Sequence, residues 1–186
     1  MSIFADLRPL SYDLIMADPP WRFKTWSENG QDKGRPYDLM DLAAIKALPV
    51  SYLGRGDCIL WLWATNPMMP QALEVVAAWG FQYVTMGVWV KRTKTGKLAF
   101  GTGYRLRCAS EPFIIATLGK PQSVRDIRTV IEGPLREDSR KPDEAYAAAA
   151  RMFPLAVRKL DLFSRESRPG WDTWGNETGK FDEVPA

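Results

Sequence analysis

Short runs of large apolar residues alternate with polar segments along the chain, and most runs end at glycine, proline or a polar residue. Runs of four to eight apolar residues are typical of buried strands, whereas apolar positions three or four residues apart are typical of helices. These patterns predict strands at 12–17, 58–64, 84–90, 113–118 and 159–163, and helices at 41–48, 70–79 and 142–153. Alternation of strands and helices predicts an α/β fold with a mostly parallel sheet.

Composition limits the class of protein. With 186 residues, of which 46% are hydrophobic, we expect a single domain over 1–186 with a sizeable core. No run is long enough to span a membrane and no signal-peptide core is seen, so we expect a cytoplasmic protein. The chain has no histidine, which removes the usual general base and most zinc sites. Its net charge of +3 is too small to indicate nucleic-acid binding by itself.

The tetrapeptide Asp18-Pro19-Pro20-Trp21 directly follows the first predicted strand. The prolines end that strand, and open α/β sheets bind their ligands at carboxyl ends of strands. Asp18 offers acceptor oxygens, Pro19 a carbonyl and Trp21 a flat apolar face. The exocyclic amine of a nucleobase needs two acceptors and a stacking surface, so the motif suits that ligand. An ordinary loop, in which the aspartate forms an Asx turn, has the same residues.

Met16-Ala17-Asp18-Pro19-Pro20-Trp21 resembles the signature of the DPPW-type adenine-N6 methyltransferases, a family that includes the eukaryotic messenger-RNA adenosine methyltransferase. The resemblance extends from about residue 6 to residue 177. It implies a Rossmann-like methyltransferase fold with helices on both faces, in a permuted order with the acceptor motif first. It also implies S-adenosylmethionine as the cofactor, no metal, and a catalytic role for Asp18, Pro19, Pro20 and Trp21.

The resemblance also implies which residues bind the cofactor. Lys141, at the amino end of a predicted helix, matches the lysine that meets the methionine carboxylate. Asp161 matches an acidic residue beside the ribose, and a carboxylate within a buried strand is costly unless it is paired or serves a ligand. The implied cofactor-binding residues are Asp6, Leu7, Asp18, Lys141, Asp161, Arg165, Ser167, Asn176 and Glu177.

Three polar segments, near 22–37, 91–107 and 120–140, are expected to be mobile surface loops around the substrate. The second contains six cations and no acidic residue, with interleaved glycines and aromatics. Such a composition is typical of contacts to phosphates and unpaired bases, although a solvated basic hairpin would share it. Residues 178–186 are expected to be a frayed tail. The candidate substrate-binding residues are Tyr37, Trp63, Asn66, Lys91, Arg92, Arg105, Arg107 and Glu111.

The resemblance implies methylation of adenine N6 in nucleic acid. DNA is favoured over RNA because no appended RNA-binding segment is seen. RNA adenine-N6 and DNA cytosine-N4 methylation are alternatives, as is a non-catalytic nucleic-acid-binding subunit of a methyltransferase pair. A homodimer and a pairing with a methyltransferase-like partner are both compatible with the sequence. The expected origin is bacterial or phage.

Overall fold

The computed structural model describes residues 3–22, 39–103, 105–137 and 140–182. The strands are β1 (Tyr12–Ala17), β2 (Gly54–Trp63), β3 (Gln82–Arg92), β4 (Ser110–Leu118), β5 (Val130–Pro134), β6 (Lys159–Leu162) and β7 (Trp171–Trp174). The helices are α1 (Leu42–Lys46), α2 (Met69–Ala78) and α3 (Asp143–Met152), with short 3₁₀ turns at Val50–Leu53 and Asn66–Met68. No helix in these ranges is long and apolar enough to cross a membrane.

Within the described ranges, the seven strands form one sheet in the order β5-β3-β4-β2-β1-β6-β7. Strand β4 runs antiparallel to its neighbours β2 and β3, and the other neighbouring pairs are parallel. The prediction of a mostly parallel sheet is therefore confirmed. The reversal of β4 has a local consequence, because its first residues lie beside the carboxyl ends of its neighbours. Trp63 pairs with Phe113, and Trp89 pairs with Glu111.

Helices cover both faces of the sheet, as expected. On one face, Ile45 of α1 and Val75 of α2 belong to a buried cluster with alternate residues of the central strands. On the other face, Ala145 and Ala149 of α3 pack in a second cluster that contains several tryptophans. All six residues of β1 are buried, because this central strand is covered on both sides.

Two edge strands were not predicted. Strand β5 lies inside the segment 120–140, which the sequence analysis assigned to a surface loop, and β7 follows the strand predicted to be last. Strand β5 alternates between exposed and buried positions, β7 has no buried residue, and both are only four or five residues long. They gain their partners from β3 and β6, which are distant in the chain, so a local pattern is weak evidence for them.

The segments outside the sheet also differ in part from expectation. Residues 178–186 were predicted to be a frayed tail. Up to Asp182 this segment is instead held to the fold, since the amide of Phe181 donates to the carbonyl of Arg165 at 3.0 Å. The segment 120–140, predicted to be a surface loop around the substrate, begins at the opposite edge of the sheet, where the amide of Lys120 donates to Asp57 at 2.7 Å. Most of the predicted loop at 22–37 lies outside the described residues.

Candidate active site

The Asp18-Pro19-Pro20-Trp21 motif forms a tight turn at the carboxyl end of β1. The amide of Trp21 donates to the carbonyl of Pro19 at 2.8 Å, and the amide of Met40 donates to the carbonyl of Pro20 at 3.0 Å. These bonds fix the backbone that carries Asp18. A carbonyl oxygen has two lone pairs, so Pro19 retains the capacity to accept a second hydrogen bond.

The two tryptophans beside this turn are core residues. Trp21 is 5% exposed, and its indole nitrogen donates to the carbonyl of Trp63 at 3.2 Å. Trp63 is fully buried and packs edge-on against Phe113 and Trp89. Trp21 therefore presents almost no ring surface for stacking on a base. Trp63, which was expected to contact the substrate, is instead a buried residue that packs beneath the turn.

Four alternating charges form a connected cluster beside the motif. The ammonium group of Lys141 lies 2.5 Å from Asp18 Oδ2 and 3.0 Å from Glu111 Oε1. The ammonium group of Lys91 lies 2.7 Å from the other oxygen of Glu111. Because β4 is reversed, Glu111 and Lys91 reach the same edge of the sheet as Asp18. We call these four residues the charge quartet.

Burial and charge act in opposite directions within the quartet. Burial lowers the pKa of Lys141, but the charges of Asp18 and Glu111 outweigh that effect and raise it. Burial raises the pKa of Glu111, but Lys141 and Lys91 together bring it below its usual value. The pKa of Asp18 is raised, chiefly by burial and further by the charge of Glu111. Lys141 is thus held as a cation between two carboxylates of unequal basicity.

A second buried carboxylate faces the same space from β6. Asp161 is 4% exposed and accepts a hydrogen bond from the hydroxyl of Tyr146 at 2.7 Å. Burial raises its pKa to about 6, although hydrogen bonds from Tyr146 and Ser164 oppose the shift. The guanidinium of Arg168 lies over the Tyr146 ring at 3.9 Å, which fixes the phenol between a cation and an anion.

A pocket that is open to solvent lies between these groups. Carboxylates, cations and aromatic rings all contribute to the wall of the pocket. The lining residues are Asp18, Arg140, Lys141, Tyr146, Asp161, Phe163, Ser164, Arg165, Glu166, Arg168 and Phe181.

An arginine network forms the outer wall of this pocket. Glu166 accepts hydrogen bonds from Arg140 and, at 2.6 Å, from Arg168. The guanidinium groups of Arg140 and Arg165 lie 5.3 and 5.2 Å from the Phe181 ring, so the carboxyl-terminal segment closes this side. The carboxylates of Glu137, Asp143 and Glu177 also pair with these arginines, so the wall is a network of opposite charges.

Four residues predicted to bind the cofactor, Asp18, Lys141, Asp161 and Arg165, lie together in this pocket wall. The carboxylate of Glu177 lies 3.8 Å from Arg165, just behind the wall.

The remaining predicted cofactor residues do not line the pocket. Leu7 is buried in the core, and the amide of Ser167 donates to Asp182. Asp6 and Asn176 are exposed. No cluster of three or more potential metal ligands occurs among the residues that the structure describes.

The basic segment 91–107 is partly a folded extension of β3. Arg107 lies over the ring of Phe100 at 4.6 Å, and Phe100 is 77% exposed. Arg105 is also exposed, whereas Arg92 is paired with Glu132 at 3.0 Å. Two of the predicted basic contacts, Arg105 and Arg107, therefore present their charge to solvent. Arg107 does so beside the aromatic face of Phe100.

Two further predicted substrate contacts differ in their placement. Asn66 is exposed at the carboxyl end of β2, where its amide donates to the sulfur of Cys108 at 3.4 Å. That contact joins the end of β2 to the base of the basic segment. Tyr37, the other aromatic predicted to stack on a base, lies outside the described residues.

Sequence reasoning missed several members of the pocket. Tyr146 is an aromatic residue within an otherwise small-residue helix, and that contrast is a signal that could have found it. Glu166 and Phe181 carry no such signal, because they lie in irregular segments. Their positions depend on contacts with Arg140 and Arg165, which only the folded chain brings together.

Comparison with known proteins places this geometry in a family. The sequence profile of MT-A70 matches residues 12–177. The chain is 34% identical over 172 residues to "N(6)-adenosine-methyltransferase MT-A70-like" of Arabidopsis thaliana, covering 90% of this chain and 24% of the relative. It is 29% identical over 196 residues to "Type II methyltransferase M.MunI" of Mycoplasma sp, covering 94% of this chain and 81% of the relative.

A human relative, "N(6)-adenine-specific methyltransferase METTL4", is 25% identical over 189 residues, which cover 94% of this chain and 39% of that protein. The chain thus spans about a quarter of the length of the plant relative and most of the length of M.MunI. Because the family profile covers nearly the whole chain, the protein belongs to the MT-A70 family.

Proposed function

We propose that this protein is an S-adenosylmethionine-dependent methyltransferase that modifies the N6 amino group of adenine in nucleic acid. The observation that carries the proposal is the Asp18 carboxylate, held by Lys141 at the carboxyl end of β1 on the wall of a charged pocket. The names of the three relatives, two of them N6-specific methyltransferases, support the same reaction class.

The pocket residues fit the proposed cofactor. Asp161 is a buried acceptor suited to ribose hydroxyls, and its pKa is raised because burial outweighs the hydrogen bonds and the charge of Arg168. Arg140 and Arg165 suit the carboxylate of the methionine portion, while the rings of Phe163 and Phe181 offer apolar faces. When bound, S-adenosylmethionine supplies an electrophilic methyl group.

Asp18 and the Pro19 carbonyl would hold the amine. They accept its two N–H bonds, which draws the nitrogen out of conjugation with the ring and orients its lone pair. When the nitrogen takes up the methyl group, Asp18 or water would accept the proton that the nitrogen loses. The raised pKa of Asp18 makes it a better proton acceptor than an exposed aspartate. Orientation of the two reactants supplies most of the rate.

We favour DNA as the substrate. The likeness to "Type II methyltransferase M.MunI", which covers 94% of this chain, supports that choice. We assign the contact surface to the exposed part of the basic segment, where Arg105, Arg107 and Phe100 combine positive charge with an aromatic face.

The proposal is tested by incubating DNA and RNA separately with the purified protein and methyl-labelled S-adenosylmethionine, followed by digestion and mass spectrometry. We expect label in N6-methyladenine from DNA. Label in RNA alone would overturn the choice of polymer, and label in N4-methylcytosine would overturn the choice of base. Absence of label together with absence of cofactor binding would overturn the enzymatic proposal and favour a non-catalytic subunit.

Asp18→Ala is the matched variant for this assay. Loss of a charge-assisted hydrogen bond costs about 1.5–3 kcal/mol, and loss of orientation adds to it, so kcat should fall about a hundredfold or more. Asp126→Ala removes an exposed carboxylate that pairs with Arg151 and should leave kcat unchanged. Near-normal activity of Asp18→Ala would exclude the proposed mechanism.

A further inference from the structure

Lys91 differs from the other cations of the basic segment. Its ammonium group lies 2.7 Å from Glu111 and its side chain is 19% exposed. The same group lies 4.5 Å from the ring of Trp89, which is itself buried. A lysine enclosed in this way is directed toward the interior of the site, where it is poorly placed to contact a phosphate.

Glu111 links Lys91 to the proposed catalytic carboxylate. One oxygen of Glu111 binds Lys91, while the other binds Lys141 at 3.0 Å, and Lys141 in turn reaches Asp18 at 2.5 Å. The four groups come from β3, the start of β4, the segment before α3 and the end of β1. Besides these, Arg165 adds positive charge near Asp18.

Charge balance makes Lys91 important to the others. Glu111 is only 10% exposed and Lys141 only 5%, so water screens their interaction poorly. Lys141 is shared between two carboxylates. If Lys91 were neutral, the ionised Glu111 would depend on Lys141 alone, and the attraction would draw that ammonium group away from Asp18.

We propose that Lys91 is a positioning residue for methyl transfer, which neutralises Glu111 so that Lys141 holds Asp18 in its reactive orientation. This inference rests on the proposed function. It assigns Lys91 a role on the amine-binding side of the site and not on the nucleic-acid backbone. Lys91 therefore influences the charge and geometry of Asp18 indirectly, through Glu111 and Lys141.

The kinetic test compares Lys91→Met, Lys91→Arg and Lys46→Met. Lys46 of α1 forms an exposed ion pair with Glu74 of α2 at 3.0 Å and serves as the matched lysine–glutamate control. We expect Lys91→Met to lower kcat about tenfold with the KM values for cofactor and nucleic acid changed less than threefold. Lys91→Arg, which keeps the charge, should recover most of the rate, and Lys46→Met should match the unmodified protein.

The pH profile separates positioning from general structural support. Without Lys91 the pKa of Glu111 rises, and a protonated Glu111 no longer competes with Asp18 for Lys141. The loss of kcat in Lys91→Met should therefore be largest where Glu111 is ionised and should shrink as the pH falls, whereas Lys91→Arg should stay near the unmodified rate at every pH. An unchanged kcat accompanied by a raised KM for nucleic acid would overturn the inference, since Lys91 would then act as a phosphate contact. A tenfold loss of kcat that is the same at every pH would also overturn it.

A second measurement does not require activity. Carboxyl carbon NMR titration of the ligand-free protein, with the Glu111 signal assigned from Glu111→Gln, should show a higher midpoint for Glu111 in Lys91→Met than in the unmodified protein. An unchanged midpoint would overturn the coupling whether or not methyl transfer is observed. If the unmodified protein binds cofactor but transfers no methyl group, the proposed function fails while this titration still decides the coupling.

Discussion

Asp161 shows how a single buried carboxylate links the stability of this protein to its proposed cofactor. Its pKa is raised to about 6 from 3.8, chiefly by burial, so the native state holds a proton that the unfolded chain has already released. The stability linked to this proton is fully present below about pH 4 and is lost as the pH rises through 6. At neutral pH, ionisation of the buried Asp161 therefore lowers the free energy of unfolding by about 3 kcal/mol.

Asp161→Asn should therefore change stability in a pH-dependent way. Asparagine keeps an acceptor for the Tyr146 hydroxyl but has no proton to lose. In urea unfolding of the ligand-free protein, we expect the free energy of unfolding of the variant relative to the unmodified protein to increase between about pH 4 and 6, by up to about 3 kcal/mol. A difference independent of pH would show that Asp161 is not buried as a destabilised anion.

At the scale of elements, the reversal of β4 shapes the site. Strand β3 lies close to both of its neighbours at Gly87, where an added Cβ would lie 2.3 Å from the ring of Phe113 in β4 and 2.6 Å from the carbonyl oxygen of Thr129, just before β5. Because the second atom belongs to the backbone, the clash cannot be relieved by rotating a side chain. Gly87→Ala should lower the free energy of unfolding by about 1–3 kcal/mol in urea titrations.

Thr85→Ala, at an exposed position of the same strand, provides the control for Gly87→Ala. Its free energy of unfolding should stay within about 0.5 kcal/mol of the unmodified protein. Equal effects of the two substitutions would show that strand propensity, and not the close approach at Gly87, determines the result.

The carboxyl-terminal segment is a second element with a defined role. Phe181 lies between the guanidinium groups of Arg140 and Arg165 and closes one side of the pocket. Phe181→Ala removes two cation–π contacts and an apolar wall, so S-adenosylmethionine should bind about tenfold more weakly by calorimetry. Tyr52→Ala, which removes an exposed aromatic ring elsewhere, should leave affinity unchanged. Equal affinities for both variants would exclude this segment from the cofactor site.

For the whole molecule, the distribution of charge matters more than the net value of +3. Arg105 and Arg107 are exposed on the basic segment, whereas Lys120 is exposed at the opposite edge of the sheet. In binding titrations with DNA, the double variant Arg105→Ala/Arg107→Ala should reduce the slope of log affinity against log salt by about 1–2. Lys120→Ala should leave the slope unchanged. The reverse pattern would place the nucleic acid on the other edge.

Local signals were sufficient for much of the fold and part of the site. Apolar runs and their terminating prolines and glycines predicted β1, β2, β3, β4 and β6 and the three helices, because those elements have a clear local pattern of apolar residues. Asp18, Lys141, Asp161 and Arg165 were predicted from motif resemblance and do lie in one pocket wall. The edge strands β5 and β7 were missed, since their partners lie far away in the chain.

The sequence by itself determined the α/β class, the family and the residue types available for chemistry, because those depend on local patterning and on a contiguous motif. Only the tertiary structure decided that β4 is reversed, that Trp63 is buried, and that Lys91 faces Glu111. The reason is physical: the orientation of a strand and the partner of a charge depend on contacts between distant segments, which leave no periodic trace in the chain. The charge quartet therefore exists only in the folded protein.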